Sequence, residues 1–332
     1  MRGPHRPAER DDGLCIALDI GGTKLAVAVV RGDGEVCFED RISTPHAADG
    51  EALYRVVADL VAIASAEAIG WGTVRALGVG CGGPMTRGGR QVSPLNIASW
   101  RAFPLRARLV ASIESLLGHS VPVFVDNDAK AVALAEGWLG AARGEDNYMA
   151  MVVSTGIGGG IVLDGCLLDG ASGNAGHIGH VIVEPGGRAC SCGARGCLEA
   201  EASGSAIAAV TGRRPEAADA EVIDRTGRLV GRAVASVANL LDLRLCLVGG
   251  SVALGFGTPF FLAAARELST LARLDHSRDC RIEPVGLSST APLVGAAAIA
   301  WRGLRTRDSS DARALEPKAR RATLVAERGR VL

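Results

Sequence analysis

From Gly173 to Glu199 the chain reads GNAGHIGHVIVEPGGRACSCGARGCLE, which sets two histidines and three cysteines in one turn-rich segment closing on Glu199. Cys190 and Cys192 are one residue apart, Cys197 follows a glycine-rich turn, and His180 precedes Cys190 by ten residues. Three thiolates and an imidazole make up the donor set of a closed tetrahedral zinc site, and Gly193 and Gly196 let the loop fold back on itself. The competing readings are a disulfide and a chance cluster. The other six cysteines are scattered through apolar runs, and the charged opening MRGPHRPAERDDG lacks the apolar core of a secretory signal. A thiol-dense loop in a cytosolic chain binds metal more often than it oxidises. A structural Zn2+ on His180, Cys190, Cys192 and Cys197 is therefore expected.

A second kind of chemistry is written in glycine. Leu14 to Ile20 reads as a buried strand running into Gly21, Gly22, Thr23 and Lys24, and a second strand, Leu25 to Val30, follows with no helix between. That pattern is a β-hairpin, not the strand–turn–helix of a P-loop or a Rossmann turn. Backbone amides in such a turn can cradle phosphate oxygens, Thr23 can add a hydroxyl donor, and Asp19 at the strand end can hold a hydrated Mg2+. An ordinary Gly-Gly hairpin is the alternative. The arrangement recurs: a strand from Tyr148 to Val153 enters Ser154, Thr155, Gly156, Ile157, Gly158, Gly159 and Gly160, and resumes at Ile161. A third glycine turn, Gly249-Gly250-Ser251, follows the apolar run at Arg244 to Val248 and opens a helical stretch, where backbone can approach an adenosine closely.

Acidic groups come at Asp126-Asn127-Asp128, between a buried strand at Val121 to Val125 and an alanine-rich helix at Ala129 to Leu139. Capping alone would explain one of them. Two acids around an Asn at a strand mouth exceed what capping requires, and a carboxylate at a helix N-terminus can accept a proton from a substrate hydroxyl.

The elements that must position these groups follow from periodicity. A third strand is read at Val36 to Glu39 and helices at Glu51 to Ile69 and Leu105 to Leu117. A strand at Ala76 to Val79 enters a turn at Gly80 to Pro84, with Gly83 at its tip, and a loop through Asn96 and Trp100 follows. Asn96 is either a polar contact or a turn former. Later come helices at Glu199 to Val210, Arg228 to Leu241 and near Leu293 to Trp301, and a strand near Cys280 to Val285. From Gly303 the arginine-rich end reads as a flexible tail.

Composition narrows the class. The chain has 332 residues, 48% hydrophobic and 22% charged, with 36 basic and 36 acidic side chains and so no formal net charge. That balance argues against a nucleic-acid or membrane-surface partner, and no apolar run reaches the ~20 residues of a membrane span. A cytoplasmic protein with small-molecule partners is expected. Its 44 glycines suit sites built from backbone.

Glycine hairpin, acidic helix start, second glycine hairpin, His/Cys segment and third glycine turn, in that order, resemble the ROK family of sugar kinases and sugar-responsive repressors. The likeness runs from about Leu14 to Trp301, and GHIGHVIVEPGGRACSCGARGCLE is its most specific part. The resemblance implies an α/β architecture of the actin-like ATPase, ribonuclease-H-like type, with two domains around a cleft. It divides the chain into 1–12 as a flexible start, 13–125 plus 290–302 as a small domain, 126–289 as a large domain with a zinc loop at 177–199, and 303–332 as a tail.

It further implies ATP phosphates on Gly21, Gly22, Thr23 and Lys24 and on Thr155, Gly156, Gly158 and Gly159, with Mg2+ near Asp19 and the nucleoside at Gly249 and Gly250. The sugar is then touched by Gly83, Asn96, Asn127, His177, His180 and Glu199, and Asp128 is the base on its 6-hydroxyl. His180 would ligate zinc through one ring nitrogen and face the sugar with the other. Glucose is the first expected substrate, with N-acetylmannosamine, another hexosamine or non-catalytic sugar binding as alternatives, and a homodimer is implied. One departure is His177, where many catalytic members carry Glu in GExGH. Another is Lys130, after DNDA, which is expected to affect only the helix surface. The repressor reading is disfavoured, because only thirteen residues precede Leu14.

Overall fold

The computed structural model describes residues 13–45 and 49–315, the side chains of 288 and 308–315 excepted. Two five-stranded sheets carry the fold. In the first, β1 (Leu14–Ile20), β2 (Lys24–Arg31) and β3 (Val36–Ser43) are antiparallel neighbours. β4 (Val74–Cys81) then adds parallel to β1, and β5 (Val123–Asn127) parallel to β4, giving the order β3-β2-β1-β4-β5. Helices α1 (Gly50–Ala68) and α2 (Leu105–Leu117) cover one face. α1 starts where Asp49 accepts the Ala52 amide, and Leu53, Val57, Leu60, Val61 and Ala64 give it a buried stripe.

The second sheet repeats the plan. β6 (Tyr148–Val153), β7 (Ile157–Leu163) and the short β8 (Cys166–Leu167) are antiparallel, while β9 (Leu245–Gly249) and β10 (Arg281–Pro284) extend the sheet in parallel from β6. Read from its far edge, the order β8-β7-β6-β9-β10 matches β3-β2-β1-β4-β5 strand for strand. Its outer face packs on α6 (Ala220–Leu241) and α7 (Ser251–Leu271).

Between the sheets run α3 (Asp128–Trp138) and α8 (Ala291–Leu315). α8 presents Leu293, Ala296, Ala297, Ala300 and Trp301 to the alanine-rich back of the first sheet, at Cys15, Ala17, Ala26, Ala28 and Ala76. The approach is backbone-close: a Cβ on Gly78 of β4 would collide with the Ala296 carbonyl, and one on Gly295 with the Ala131 carbonyl of α3.

Several boundaries differ from the sequence reading, β3 running on to Ser43 and β5 shifted to Val123–Asn127 among them. The helix placed near Leu293 to Trp301 continues to Leu315, so the expected tail cannot start at Gly303; the apolar side of Trp301 and Leu304 carries the helix on. Residues 1–12 and 316–332, where the remaining terminal expectations fall, lie outside the described residues. α6 begins at Ala220 rather than Arg228, because Asp219 caps it by accepting the Val222 amide. The stretch at Glu199 to Val210 is two helices, α4 (Leu198–Ala202) and α5 (Gly204–Thr211), broken at an extended Ser203 that accepts the Ala206 amide. The glycine run after Val153 turns only at Ser154 to Gly156, and β7 takes in Gly158, Gly159 and Gly160, paired with Val152, Met151 and Ala150.

Candidate functional site

The ends of β1, β4 and β5 deliver Asp19, the turn after Cys81, and Asn127 with Asp128 to one place. A Cβ built on Gly80 would lie 3.6 Å from Asp19 Oδ1, and one on Gly82 would lie 3.2 Å from Asn96 Oδ1 and 3.9 Å from Asp128 Oδ2. The same construction on Gly83 meets Asn127 Nδ2 at 3.3 Å and His177 Nε2 at 3.5 Å. Gly83, Asn96, Asn127, Asp128, Asp19 and His177 thus converge, although 158 residues of sequence separate the outermost of them.

Asp128 is held as the first residue of α3. Its Oδ1 and the Asn127 Oδ1 both accept the Ala129 amide, at 2.8 and 3.0 Å. Burial pushes its carboxyl above the ordinary value, partly offset by the Ala129 amide and by His177. Burial, reinforced by the charge of Asp128, pushes the Asp19 carboxyl up to about 7, against Lys24 and Arg41. Two carboxylates raised together at a cleft floor form a place that favours a cation, which fits a magnesium ion beside Asp19.

The first hairpin closes with the Gly21 amide donating to the Lys24 carbonyl at 2.9 Å, and Thr44 Oγ1 donates to the Gly21 carbonyl at 2.7 Å. Thr23 and Lys24 are exposed at its tip, and Gly22 lies against Asn96. At the second sheet the Ser154–Gly156 turn meets two helix starts. Gly204 and Ser205 donate to the Ser154 and Thr155 carbonyls, and Ser154 Oγ lies 2.9 Å from Ser251 Oγ, just beyond Gly249 and Gly250. The N-terminus of the long helix α7 is therefore beside the second turn, where its dipole favours anions. Gly158 and Gly159 sit inside β7; a Cβ on Gly158 would press on Ala129 of α3. A Cβ on Gly159 would press on Ile178 from the opposite face, so both faces of β7 are close-packed there rather than forming an open turn.

Glu199 accepts the Ile157 amide at 2.9 Å, which ties the His/Cys segment to the second hairpin. Within that segment His180 Nδ1, Cys190, Cys192 and Cys197 offer donor atoms that all lie within 4.8 Å of one another. Cys190 Sγ is 3.7 Å from His180 Nδ1 and Cys192 Sγ is 3.7 Å from Cys197 Sγ. A tetrahedron with Zn–S bonds of ~2.3 Å has edges of ~3.8 Å, so the four donors fit zinc. With Nδ1 turned to the thiols, His180 keeps Nε2 for another partner, and the His177 ring lies nearly parallel, centroids 6.1 Å apart.

Sequence reasoning passed over the supports of this loop. Glu201, 2% exposed, accepts the Arg188 amide and pairs with Arg225 at 2.7 Å, bracing the cysteine turn from below. Its spacing from Cys197 was the available signal. Lys130 corrects the surface expectation outright. It is 1% exposed, donates to the Gly173 carbonyl at 2.9 Å, and pairs with Asp169 at 3.3 Å and Asp126 at 3.6 Å. Arg302 of α8 closes the network on the same two acids, at 2.7 and 3.4 Å. The i,i+4 spacing of Asp126 and Lys130 was legible, while Asp169 and Arg302 are brought in by the fold. Lys130→Met is expected to cost roughly 3 kcal/mol in urea unfolding, because it strands partly buried carboxylates. A loss under ~0.5 kcal/mol would restore the surface reading.

Comparison with known proteins finds relatives along most of the chain. The family model described as "ROK family" matches residues 15–302. An N-acetylmannosamine kinase of Haemophilus influenzae is 36% identical over 308 residues, covering 85% of this chain and 94% of that protein. Among solved structures, a ROK hexokinase from Thermus thermophilus superposes with a TM-score of 0.74 at 32% identity, over 88% of this chain and 99% of that one. A ROK family glucokinase from Streptomyces griseus, in complex with glucose and AMPPNP, gives 0.71 at 30% identity, over 87% and 100%.

Proposed function

This chain belongs to the ROK family, and from that premise we propose that it transfers the γ-phosphoryl group of ATP to the 6-hydroxyl of N-acetylmannosamine. The observation that carries the sugar assignment is the 36% identity to an N-acetylmannosamine kinase along nearly the whole of that protein. The glucose expectation gives way to it.

His177 supplies a chemical reason. A 2-acetamido group presents a carbonyl oxygen, which needs a donor, and an imidazole N–H can donate where a carboxylate can only accept. His177 Nε2 faces the Gly83 turn beside Asn127 Nδ2, a second donor.

In the reaction Asp128 takes the proton of the 6-hydroxyl, a task suited to a carboxylate raised toward neutrality by burial. Amides of Gly21 to Lys24 and of Ser154 to Gly156 hold phosphate oxygens from opposite sheets and fix the line of transfer. A magnesium ion at Asp19 would neutralise charge on the β- and γ-phosphates. His180, Cys190, Cys192 and Cys197 would hold a structural zinc that keeps the sugar-facing edge of the loop in shape, all four coordination places being filled by protein.

The test is ADP release with ATP and a panel of N-acetylmannosamine, N-acetylglucosamine, mannose and glucose. N-acetylmannosamine is expected to give the highest kcat/KM, and His177→Glu to lower it about tenfold or more, the loss of one directed hydrogen bond to the substrate. A panel led by glucose would overturn the sugar assignment, and no turnover with any sugar would overturn the kinase reading.

A further inference from the structure

Along β5 the described residues line a cavity of about 370 Å3 between the edge of the first sheet, the Met85–Gly88 turn and the middle of α8. Its wall includes the apolar Val123, Phe124 and Ile299. Four arginines line it, Arg87, Arg106, Arg302 and Arg307, against two carboxylates, Asp126 and Asp169. Both carboxylates are already paired with Lys130 from within, so that, leaving Arg307 aside, the four positive charges of Lys130, Arg87, Arg106 and Arg302 meet two negative ones. Arg87 makes no ion pair or hydrogen bond among the described residues, and Arg106 has only the Gly88 carbonyl at 3.5 Å. None of the residues assigned above to sugar, nucleotide or zinc lines this space.

We propose that this cavity is a second ligand site, which takes a small phosphate monoester and adjusts the sugar site through the Asp126–Lys130–Asp169–Arg302 network. Guanidinium forks match tetrahedral oxyanions in geometry as well as charge, and an excess of positive charge in a partly enclosed space favours a dianion. The apolar wall accepts the carbon skeleton. The volume is at the small end for ligand sites, which suits a monophosphate.

The coupling runs through bonded parts. The turn carrying Arg87 is locked to the sugar loop, since Asn174 Oδ1 accepts the Met85 amide at 3.2 Å and Asn174 Nδ2 donates to the Met85 carbonyl at 2.9 Å. Arg302 is shared between the cavity and the acids that hold Lys130, whose ammonium in turn holds the Gly173 carbonyl. A phosphate drawing on Arg302 weakens its hold on Asp126, the residue before Asn127, and on Asp169, which opens the loop leading to His177. This reading does not depend on which sugar the cleft accepts.

The probe is phenyl phosphate, with inorganic phosphate and phenol as separate arms, titrated by calorimetry into the full chain and into the Arg87→Gln/Arg106→Gln double variant. The unsubstituted protein is expected to bind phenyl phosphate saturably, more tightly than inorganic phosphate, and phenol not at all. The double variant is expected to bind it at least ~10-fold more weakly while keeping its circular dichroism, its melting temperature and its basal kcat. The second readout is the sugar KM, expected to change at least twofold with phenyl phosphate in the unsubstituted protein and to stay fixed in the double variant. Absence of saturable binding, or binding undiminished in the double variant, overturns the site. A KM that moves equally in both proteins, or in neither, overturns the coupling.

Discussion

Asp128→Asn is expected to lower kcat by at least ~100-fold while leaving sugar affinity within a few-fold, as befits loss of a general base alone. The amide preserves the shape and the Oδ1 that accepts the Ala129 amide, so the start of α3 stays in place. What it cannot do is take the proton. Steady-state turnover together with calorimetric sugar binding separates the two effects, and turnover within tenfold of the unsubstituted protein would remove Asp128 from this role.

The substitution also has a signature in stability. Asp19 is raised from 3.8 to about 7, and Asp128 is raised as well, so the ligand-free folded state binds more protons than the unfolded chain between those values. Their contribution is complete below the ordinary carboxylate value and is lost as pH rises through the folded values. Melting temperature should therefore decline from about pH 4 to pH 7 in the absence of ligands, insofar as these groups control it. Removing the Asp128 charge relieves Asp19 and should flatten that decline. Equal slopes in the two proteins would show that neither the titration of Asp128 nor its charge on Asp19 contributes to the decline.

Cys197→Ser, or exhaustive chelation, is expected to lower the melting temperature by roughly 10 °C and to raise the sugar KM tenfold or more, because metal bound only by the folded loop adds its binding free energy to folding. Cys197 is 1% exposed and stands immediately before α4, whose Glu199 accepts the Ile157 amide. Slackening that residue loosens the sugar-facing loop and the second hairpin together. Metal analysis should find one zinc per chain before treatment and none after. A metal-free protein that melts and binds sugar as before would show that Glu201 and its arginines suffice to hold the loop.

The parts of the site legible in the sequence were those fixed by local chemistry. Gly21-Gly22 between two apolar runs specified a hairpin wherever the chain went next, and Asp128 beside an alanine-rich stretch marked a helix start. The His180, Cys190, Cys192 and Cys197 cluster was legible because side-chain type alone marks a candidate ligand set. What escaped depended on distant partners. An isolated lysine on a helix reads as solvated until Asp169 and Arg302 are seen around it. Gly303 to Arg307 reads as solvated tail until Trp301 and Leu304 are seen packing on the first sheet. Trp100 was placed in a loop and is fully buried, stacked on Phe103 at 4.6 Å with its indole N–H on the Gly50 carbonyl. The loop is a lid on the core of α1, which no periodicity announces.

The placement of α8 has a consequence for how the chain is made. β1, β2 and β4 leave the ribosome well before the helix that covers their alanine-rich back, which is synthesised after the whole second sheet. Until then Ala17, Ala28 and Ala76 lack the Leu293 to Trp301 surface on which they pack. The nascent amino-terminal half can form its hairpins and bury α1, but it can close its second apolar face only when Leu293 to Trp301 arrive. Folding of the first sheet is thus completed only after the second sheet has been made, and the cleft between the two hairpins takes its final form once α8 has emerged.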